Sequence, residues 1–98
     1  LRNTERPDAV FAVSDTLAAG AVLAIHEAGL KMPQDIAVVG FDGTELAEMV
    51  TPPLTTVYQP SKEIGRQAVG LLLNKIDNPE APAQRIMMDW QYVSRASA

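Results

Sequence analysis

Ala37-Val38-Val39-Gly40-Phe41-Asp42-Gly43 is the stretch that decides the fold of this 98-residue chain. Residues 36–41 are apolar and rich in β-branched side chains, which predicts a strand buried on both faces, as in a parallel sheet. Ligands bind at the carboxyl ends of such strands in open α/β sheets, so Asp42 is a candidate ligand-binding carboxylate. The alternative is a local role, in which Asp42 caps the segment that begins near Thr44 or makes an Asp-Gly turn. The residues alone leave both roles open.

A second apolar run, Ala9-Val10-Phe11-Ala12-Val13, predicts another buried parallel strand. Ser14 and Asp15 follow at its carboxyl end, and both are N-cap residue types, so a helix is expected at residues 16–28. Gly29 is expected to end this helix as its C′ residue. The two strands and the helix between them form one βαβ unit, for which a right-handed crossover is expected.

The helix at residues 16–28 is apolar nearly all the way round. A helix that is apolar on all sides is normally buried on all sides, and so short a chain has too little protein to cover both faces. One face is therefore expected to pack on the sheet and the other on a partner subunit or a missing domain. The expected apolar stripe consists of Leu17, Ala21, Ala24, Ile25 and Ala28; the apolar residues off it are Ala19, Val22 and Leu23.

The rest of the chain predicts a short helix at residues 44–50, a strand at 54–58, an amphipathic helix from Pro60 to about residue 77 and a closing strand at 85–93. The fold class is therefore α/β, a Rossmann-like parallel sheet flanked by helices. Phe11 and Phe41, on the two apolar strands, are expected in the core. Residues 1–7 look like the tail of a helix whose beginning is missing, which predicts that the chain is a fragment. The expected stripe of the amphipathic helix consists of Ile64, Ala68, Leu71, Leu72 and Ile76.

Composition excludes several functions for this segment. The formal net charge is −4 and the eight Lys and Arg residues are scattered, which argues against direct contact with nucleic-acid phosphates. There is no cysteine for a disulfide or a thiolate nucleophile. The longest apolar stretch, residues 17–25, is too short to span a bilayer, and no signal peptide is visible. A soluble, cytoplasmic location without membrane contact is expected.

Catalytic chemistry is poorly supported, so no enzyme activity is expected. The one histidine, His26, lies in the last turn of its helix, where a dipole partner or a surface or interface residue is expected. With no second His or Cys, neither a metal site nor a cofactor is expected, and no glycine-rich phosphate loop occurs. A carboxylate such as Asp42 can accept hydrogen bonds from two neighbouring hydroxyls, as in polyols, sugars or nucleobases, and the Ser14 hydroxyl adds an adaptable group. A flavodoxin-like hydrolase acting through Asp15 and Asp42 remains the enzymatic alternative.

Four motifs follow one another along the chain: Pro7-Asp8-Ala9-Val10-Phe11-Ala12-Val13-Ser14-Asp15, then Ala18-Ala19-Gly20-Ala21, then Gly29-Leu30-Lys31-Met32-Pro33-Gln34-Asp35-Ile36-Ala37-Val38-Val39-Gly40-Phe41-Asp42, and finally Thr51-Pro52-Pro53-Leu54-Thr55-Thr56-Val57 with Gln59-Pro60 and Gly65. In this order and spacing they resemble the LacI/GalR family of bacterial transcription regulators. The resemblance covers essentially the whole chain.

The resemblance implies the C-terminal part of an effector-binding domain similar to periplasmic sugar-binding proteins. Such domains have two α/β lobes around the ligand, and the chain crosses between them three times. Residues 8–53 would belong to the C-terminal lobe, residues 54–59 to a hinge crossing, residues 60–78 to a helix of the N-terminal lobe and residues 85–94 to the closing strand. The helix-turn-helix head that binds DNA would lie outside this sequence.

The resemblance also implies site residues and partners. Asp42 aligns with the aspartate that binds the effector, Ser14 stands where asparagine is common, and Asp15 matches the acid that follows it. The implied function is effector binding and dimerisation in a repressor that responds to a sugar or a nucleobase and contacts operator DNA only through the missing head. A periplasmic or transport sugar-binding protein of the same fold is the alternative. The implied homodimer interface consists of Leu17, Gly20, Ala21, Leu23, Ala24, Leu46, Met49 and Val50.

Overall fold

Seven elements follow one another along residues 5–98, the part of the chain that the computed structural model describes. They are β1 (Ala9–Phe11), α1 (Asp15–Glu27), β2 (Ala37–Asp42), α2 (Glu45–Met49), β3 (Thr55–Tyr58), α3 (Ser61–Asp77) and β4 (Gln91–Val93). The α/β class is confirmed, and every strand and helix expected after residue 7 occurs. The helix tail expected at residues 1–7 lies mostly outside the described residues, and residues 5–7 are not helical.

The four strands form one sheet in the order β1-β2-β3-β4. β1 pairs with β2 and β2 with β3 in parallel, whereas β4 runs antiparallel to β3. The closing strand is shorter than expected, since only its last residues, Gln91–Val93, pair with β3. Because β1, β2 and β3 are parallel, their carboxyl ends share one edge of the sheet.

The chain divides into two compact units. Unit 1 comprises Leu1–Tyr58 and Gln91–Ala98 and holds the sheet with α1 and α2; unit 2 comprises Gln59–Trp90 and holds α3. No residue of α3 is buried, and Leu72 and Ile76 of its apolar stripe are exposed. The apolar stripe expected for this helix therefore has little cover within the described residues.

The core of unit 1 lies between α1 and one face of the sheet. Its α1 side chains are Ala18, Val22 and Ile25, which face Val38 and Leu54 among others. The expected stripe was wrong in part, because Val22 is buried while Leu17 is exposed. In a helix that is apolar all round, periodicity gives no signal for which side meets the sheet.

The opposite face of the sheet is more open. The strand register places Phe11 beside Val39 and Val39 beside Thr55 on this face. Phe11 is 63% exposed, so the expectation that it lies in the core was wrong, and Phe41 is half-buried. An apolar strand predicts that both faces of the sheet are buried. It does not show whether the residues that bury each face belong to this chain.

Ser97 closes the sheet at the amino ends of β2 and β3. Its hydroxyl accepts a hydrogen bond from the Thr55 backbone N–H (2.8 Å) and donates one to the Val38 carbonyl (2.6 Å). Its carbonyl accepts from Val38 N–H (2.9 Å), and its N–H donates to the Pro53 carbonyl (3.0 Å). We call Ser97, Val38 and Thr55 the Ser97 bridge. It satisfies backbone groups that the short β3 leaves without a strand partner.

Candidate functional site

The candidate site lies at the sheet edge where β1, β2 and β3 end. β2 ends at Asp42 and β3 at Tyr58, and the register of the two strands pairs these residues directly. Ser14 follows β1 and caps α1. The structure therefore brings Ser14 and Asp42 to the same edge, as the sequence predicts, and adds Tyr58 beside Asp42.

Asp42 and Gly43, where the chain leaves β2, have an unusual backbone, and we call this pair the Asp42-Gly43 turn. The φ of Asp42 is +116° and that of Gly43 is +73°. Positive φ in a residue other than glycine is uncommon and costs on the order of 1–3 kcal/mol, and such strain clusters at functional sites. A Cβ on Gly43 would lie 2.6 Å from Tyr58 Cα, so only glycine fits there. The N-cap of α2 is Thr44, so Asp42 is not the cap of that helix. Asp42 is the last residue of β2, and the hydrogen-bonded Asp-Gly turn considered from sequence stays a prediction.

Asp15 lies beneath this turn and is 1% exposed. Its Oδ2 accepts hydrogen bonds from the Thr44 N–H (2.7 Å) and the Thr44 hydroxyl (2.8 Å). Its Oδ1 accepts a hydrogen bond from the Thr56 hydroxyl (2.7 Å). Burying a carboxylate is costly unless donors satisfy it, and here three donors and the amino end of α1 do so. We call Asp15, Thr44 and Thr56 the Asp15 cluster.

Gly40 makes room for Asp15. A Cβ on Gly40 would lie 2.5 Å from Asp15 Oδ1, 2.8 Å from Leu54 Cδ2 and 3.3 Å from Ala18 Cβ. Any side chain at this position of β2 would therefore displace the carboxylate or the core beside it.

Ser14 has a structural role that leaves part of its hydroxyl chemistry available. With φ −151° and ψ 158° it caps α1, and its Oγ accepts a hydrogen bond from Leu17 N–H (3.2 Å). An N-cap serine uses its oxygen as an acceptor, so its proton can be donated to another group. Ser14 is half-buried at the edge.

Three residues of the site escaped sequence reasoning: Thr44, Thr56 and Tyr58. Thr56 was interpreted only as a β-branched strand residue. Two adjacent threonines in a buried strand indicate, in addition, that their buried hydroxyls need hydrogen-bond partners. Thr44 was assigned only as the start of a helix. Sequence patterns do not show that Asp15 meets residues 29 and 41 positions away.

The expected interface residues are partly covered by their own chain. Leu17 and Leu23 are each 59% exposed, Met49 is 76% exposed, and a methyl group added at Gly20 would meet no atom within 4 Å. Ala21 and Val50 pack against the edge of the core. The exposed sides of α1 and α2 therefore carry large apolar side chains among polar ones such as Glu27, Glu45 and Glu48. The remaining expected residues are Ala24, which is exposed, and Leu46, which is half-buried.

His26 is exposed, and its Nε2 lies 2.6 Å from the Thr51 carbonyl, so it links the end of α1 to the loop after α2. Within residues 5–98, no three His, Cys, Asp or Glu side chains come together in a group that could hold a metal ion. Over the same described range, no helix is both long and apolar enough to cross a membrane.

Comparison with known proteins gives a consistent result. The family model described as periplasmic binding protein-like domain matches residues 1–98. The ribose operon repressor of Escherichia coli K12 is 44% identical over 93 residues, which are 95% of this chain and 28% of that protein. The HTH-type transcriptional repressor PurR of Vibrio atlanticus is 41% identical over 93 residues, again 95% of this chain and 28% of that protein.

A solved structure agrees with these relatives. The LacI family transcriptional regulator from Enterococcus faecium with bound ribose superposes with a TM-score of 0.83 at 33% identity, over 95% of this chain and 35% of that one. The chain thus spans about 28% of the length of the curated relatives it matches, and these relatives are transcriptional repressors. The chain belongs to the periplasmic binding protein-like domain family, and its expected resemblance to the LacI/GalR regulators is confirmed.

Proposed function

We propose that this chain is the C-terminal part of the effector-binding domain of a cytoplasmic LacI-type repressor, and that it also contributes to dimerisation. The observation that carries the proposal is the carboxylate of Asp42 on a strained turn where three parallel strands end. In this proposal, residues 8–53 belong to one lobe, residues 54–59 cross the hinge, residues 60–78 supply a helix to the other lobe, and residues 85–94 lead back.

The proposed effector is a small sugar, with ribose the first to test. A relative is named ribose operon repressor, and a similar regulator has been solved with bound ribose. Chemically, a carboxylate at the site suits the paired hydroxyls of a sugar through charge-assisted hydrogen bonds. In the proposal Asp42 and Ser14 contact the effector, while Asp15 contributes from its buried position.

The proposed regulation is a population shift. An effector that binds more tightly to one arrangement of the two lobes increases the population of that arrangement. If operator DNA prefers one arrangement as well, effector binding changes the affinity for DNA by the same coupling free energy. DNA contact would come from a helix-turn-helix head elsewhere in the full-length regulator. This chain's net charge of −4 supports a separate DNA-binding segment, because contact with DNA phosphates needs clustered positive charge.

The proposed dimer interface is the solvent-facing side of α1 and α2. Leu17, Leu23 and Met49 expose large apolar side chains there, and apolar side chains of this size left exposed on neighbouring helices support an interaction site. A second copy of the regulator would cover them.

The test is calorimetric titration of the full-length regulator with ribose, other sugars, sugar phosphates and purines, with retention of operator DNA measured in parallel. We expect a sugar to bind and change DNA retention. Asp42→Ala should abolish the response and leave the fold intact, whereas Asp8→Ala, which removes an exposed acid just before β1, at the opposite edge of the sheet, should have no effect. Unchanged affinity in Asp42→Ala would contradict the site assignment, and binding without any DNA effect would favour a transport-type binding protein.

A further inference from the structure

We propose that Asp15 is a positioning residue, which uses Thr44 and Thr56 to hold the Asp42-Gly43 turn in the conformation that presents Asp42 to the effector. The proposal rests on the function proposed above for Asp42. It gives Asp15 a part in effector binding without direct contact.

The turn needs an external restraint. Asp42 has a φ of +116°, and strained conformations of this kind persist only where the surroundings impose them. On the carboxyl side of the turn, Thr44 is fixed by two hydrogen bonds to one oxygen, Asp15 Oδ2. Thr44 is two residues from Asp42, so movement of Thr44 is transmitted to the turn through the backbone.

The anchor on the other side is rigid. Asp15 is the first residue of α1, and Ala18, one turn later, is fully buried in the core. Asp15 Oδ1 is held by the hydroxyl of Thr56, which is itself fully buried in β3. The carboxylate thus joins α1, β3 and the loop after β2, and hydrogen bonds to a charged acceptor are stronger than neutral ones.

Its burial and its hydrogen bonds argue against a direct role for Asp15. The residue is 1% exposed, and both of its oxygens already accept hydrogen bonds from the protein. Because so little of its surface is exposed, a ligand hydroxyl cannot reach the carboxylate without moving the residues that cover it. Asp15 therefore acts on the effector through the turn that it restrains.

The test removes single donors from the Asp15 cluster in the full-length regulator. Thr56→Val keeps the shape of the side chain and removes its hydroxyl. Thr44→Val does the same at an exposed position and keeps the N–H bond to Asp15, so it should lower stability less than Thr56→Val. We expect each to raise the Kd for ribose, or for the sugar identified by titration, about tenfold, which corresponds to about 1.4 kcal/mol. Thr56→Ser restores the donor and should return the Kd close to that of the wild type.

Ser97→Ala is the matched control. It also removes a buried hydroxyl with two hydrogen bonds from the same sheet, but at the amino ends of the strands. It should lower stability as Thr56→Val does and leave the Kd unchanged. If Ser97→Ala and Thr56→Val weaken effector binding equally, Asp15 and its partners have only a structural role and the proposal is wrong.

A measurement without effector separates this proposal from the proposed function. Amide hydrogen exchange at Thr44, whose N–H is bonded to Asp15, should become faster in Thr56→Val and stay unchanged in Ser97→Ala. Unchanged exchange at Thr44 in Thr56→Val would overturn the positioning role. A wild-type protein that binds no sugar would contradict the proposed function, while this exchange experiment would still decide whether the cluster holds the turn.

Discussion

Gly40→Ala tests the packing of Asp15 against β2. The added methyl group would lie 2.5 Å from Asp15 Oδ1, 2.8 Å from Leu54 Cδ2 and 3.3 Å from Ala18 Cβ. None of these neighbours can move freely, because Leu54 and Ala18 are fully buried and the Asp15 oxygen is hydrogen-bonded to Thr56.

Two opposing effects set the magnitude. Overpacking a core typically costs about 1–3 kcal/mol. Replacing glycine by alanine restricts the unfolded chain, which stabilises the folded state by roughly 0.4–1 kcal/mol. Overpacking should dominate, so we expect Gly40→Ala to lower the free energy of unfolding by about 1 kcal/mol, the difference between the middles of these two ranges.

The assay is urea unfolding of the full-length regulator, followed by circular dichroism. The midpoint should fall while the dependence on urea concentration stays the same, as expected for a change in stability alone. Gly70→Ala is the control with the same chemical change, because a Cβ at this α3 position has no neighbour within 4 Å; it should raise stability by up to about 1 kcal/mol. A Gly40→Ala protein as stable as the wild type would refute the close packing of Asp15.

Three further substitutions test other parts of the chain. Gly43→Ala should destabilise the protein by more than about 1 kcal/mol, because φ is +73° and the methyl group would collide with Tyr58. It should also weaken effector binding. Thermal unfolding measures the first effect and calorimetry the second. Leu23→Glu places a charge on the exposed side of α1 and should dissociate dimers, and an unaltered sedimentation profile would remove this helix from the interface. Ser14→Ala removes the hydroxyl that accepts Leu17 N–H and should lower stability by about 1 kcal/mol in denaturant melts; no change there would mean that the cap contributes little.

The element order was predictable because local signals agree with one another. Ser14 caps α1 as its residue type predicts, and Gly29, with φ +75°, ends it. The Leu30 N–H donates to the Ile25 carbonyl (3.1 Å), which completes the expected helix end. These features depend on neighbours within a few positions, and a single sequence contains that information.

The burial of side chains and their hydrogen-bond partners were less predictable, because both depend on residues far away in the sequence. Val22 and Leu17 are equally apolar, yet only Val22 meets the sheet. The sequence placed Asp42 at a strand end correctly but did not distinguish an exposed Asp15 from a buried one. That distinction depends on Thr56, which is 41 positions away, and on the missing side chain of Gly40.

The Ser97 bridge has a consequence for folding during synthesis. Ser97 is 42 positions after Thr55 and 59 after Val38, so the ribosome makes both strand residues well before their partner. At the usual rate of about 5–20 residues per second, the amino ends of β2 and β3 wait several seconds with only water as a partner for these groups. We therefore expect the sheet to be completed late, and a nascent chain that stalls before residue 97 to be cleaved by proteases more readily than the finished sheet, because backbone groups of two strands still lack their partner.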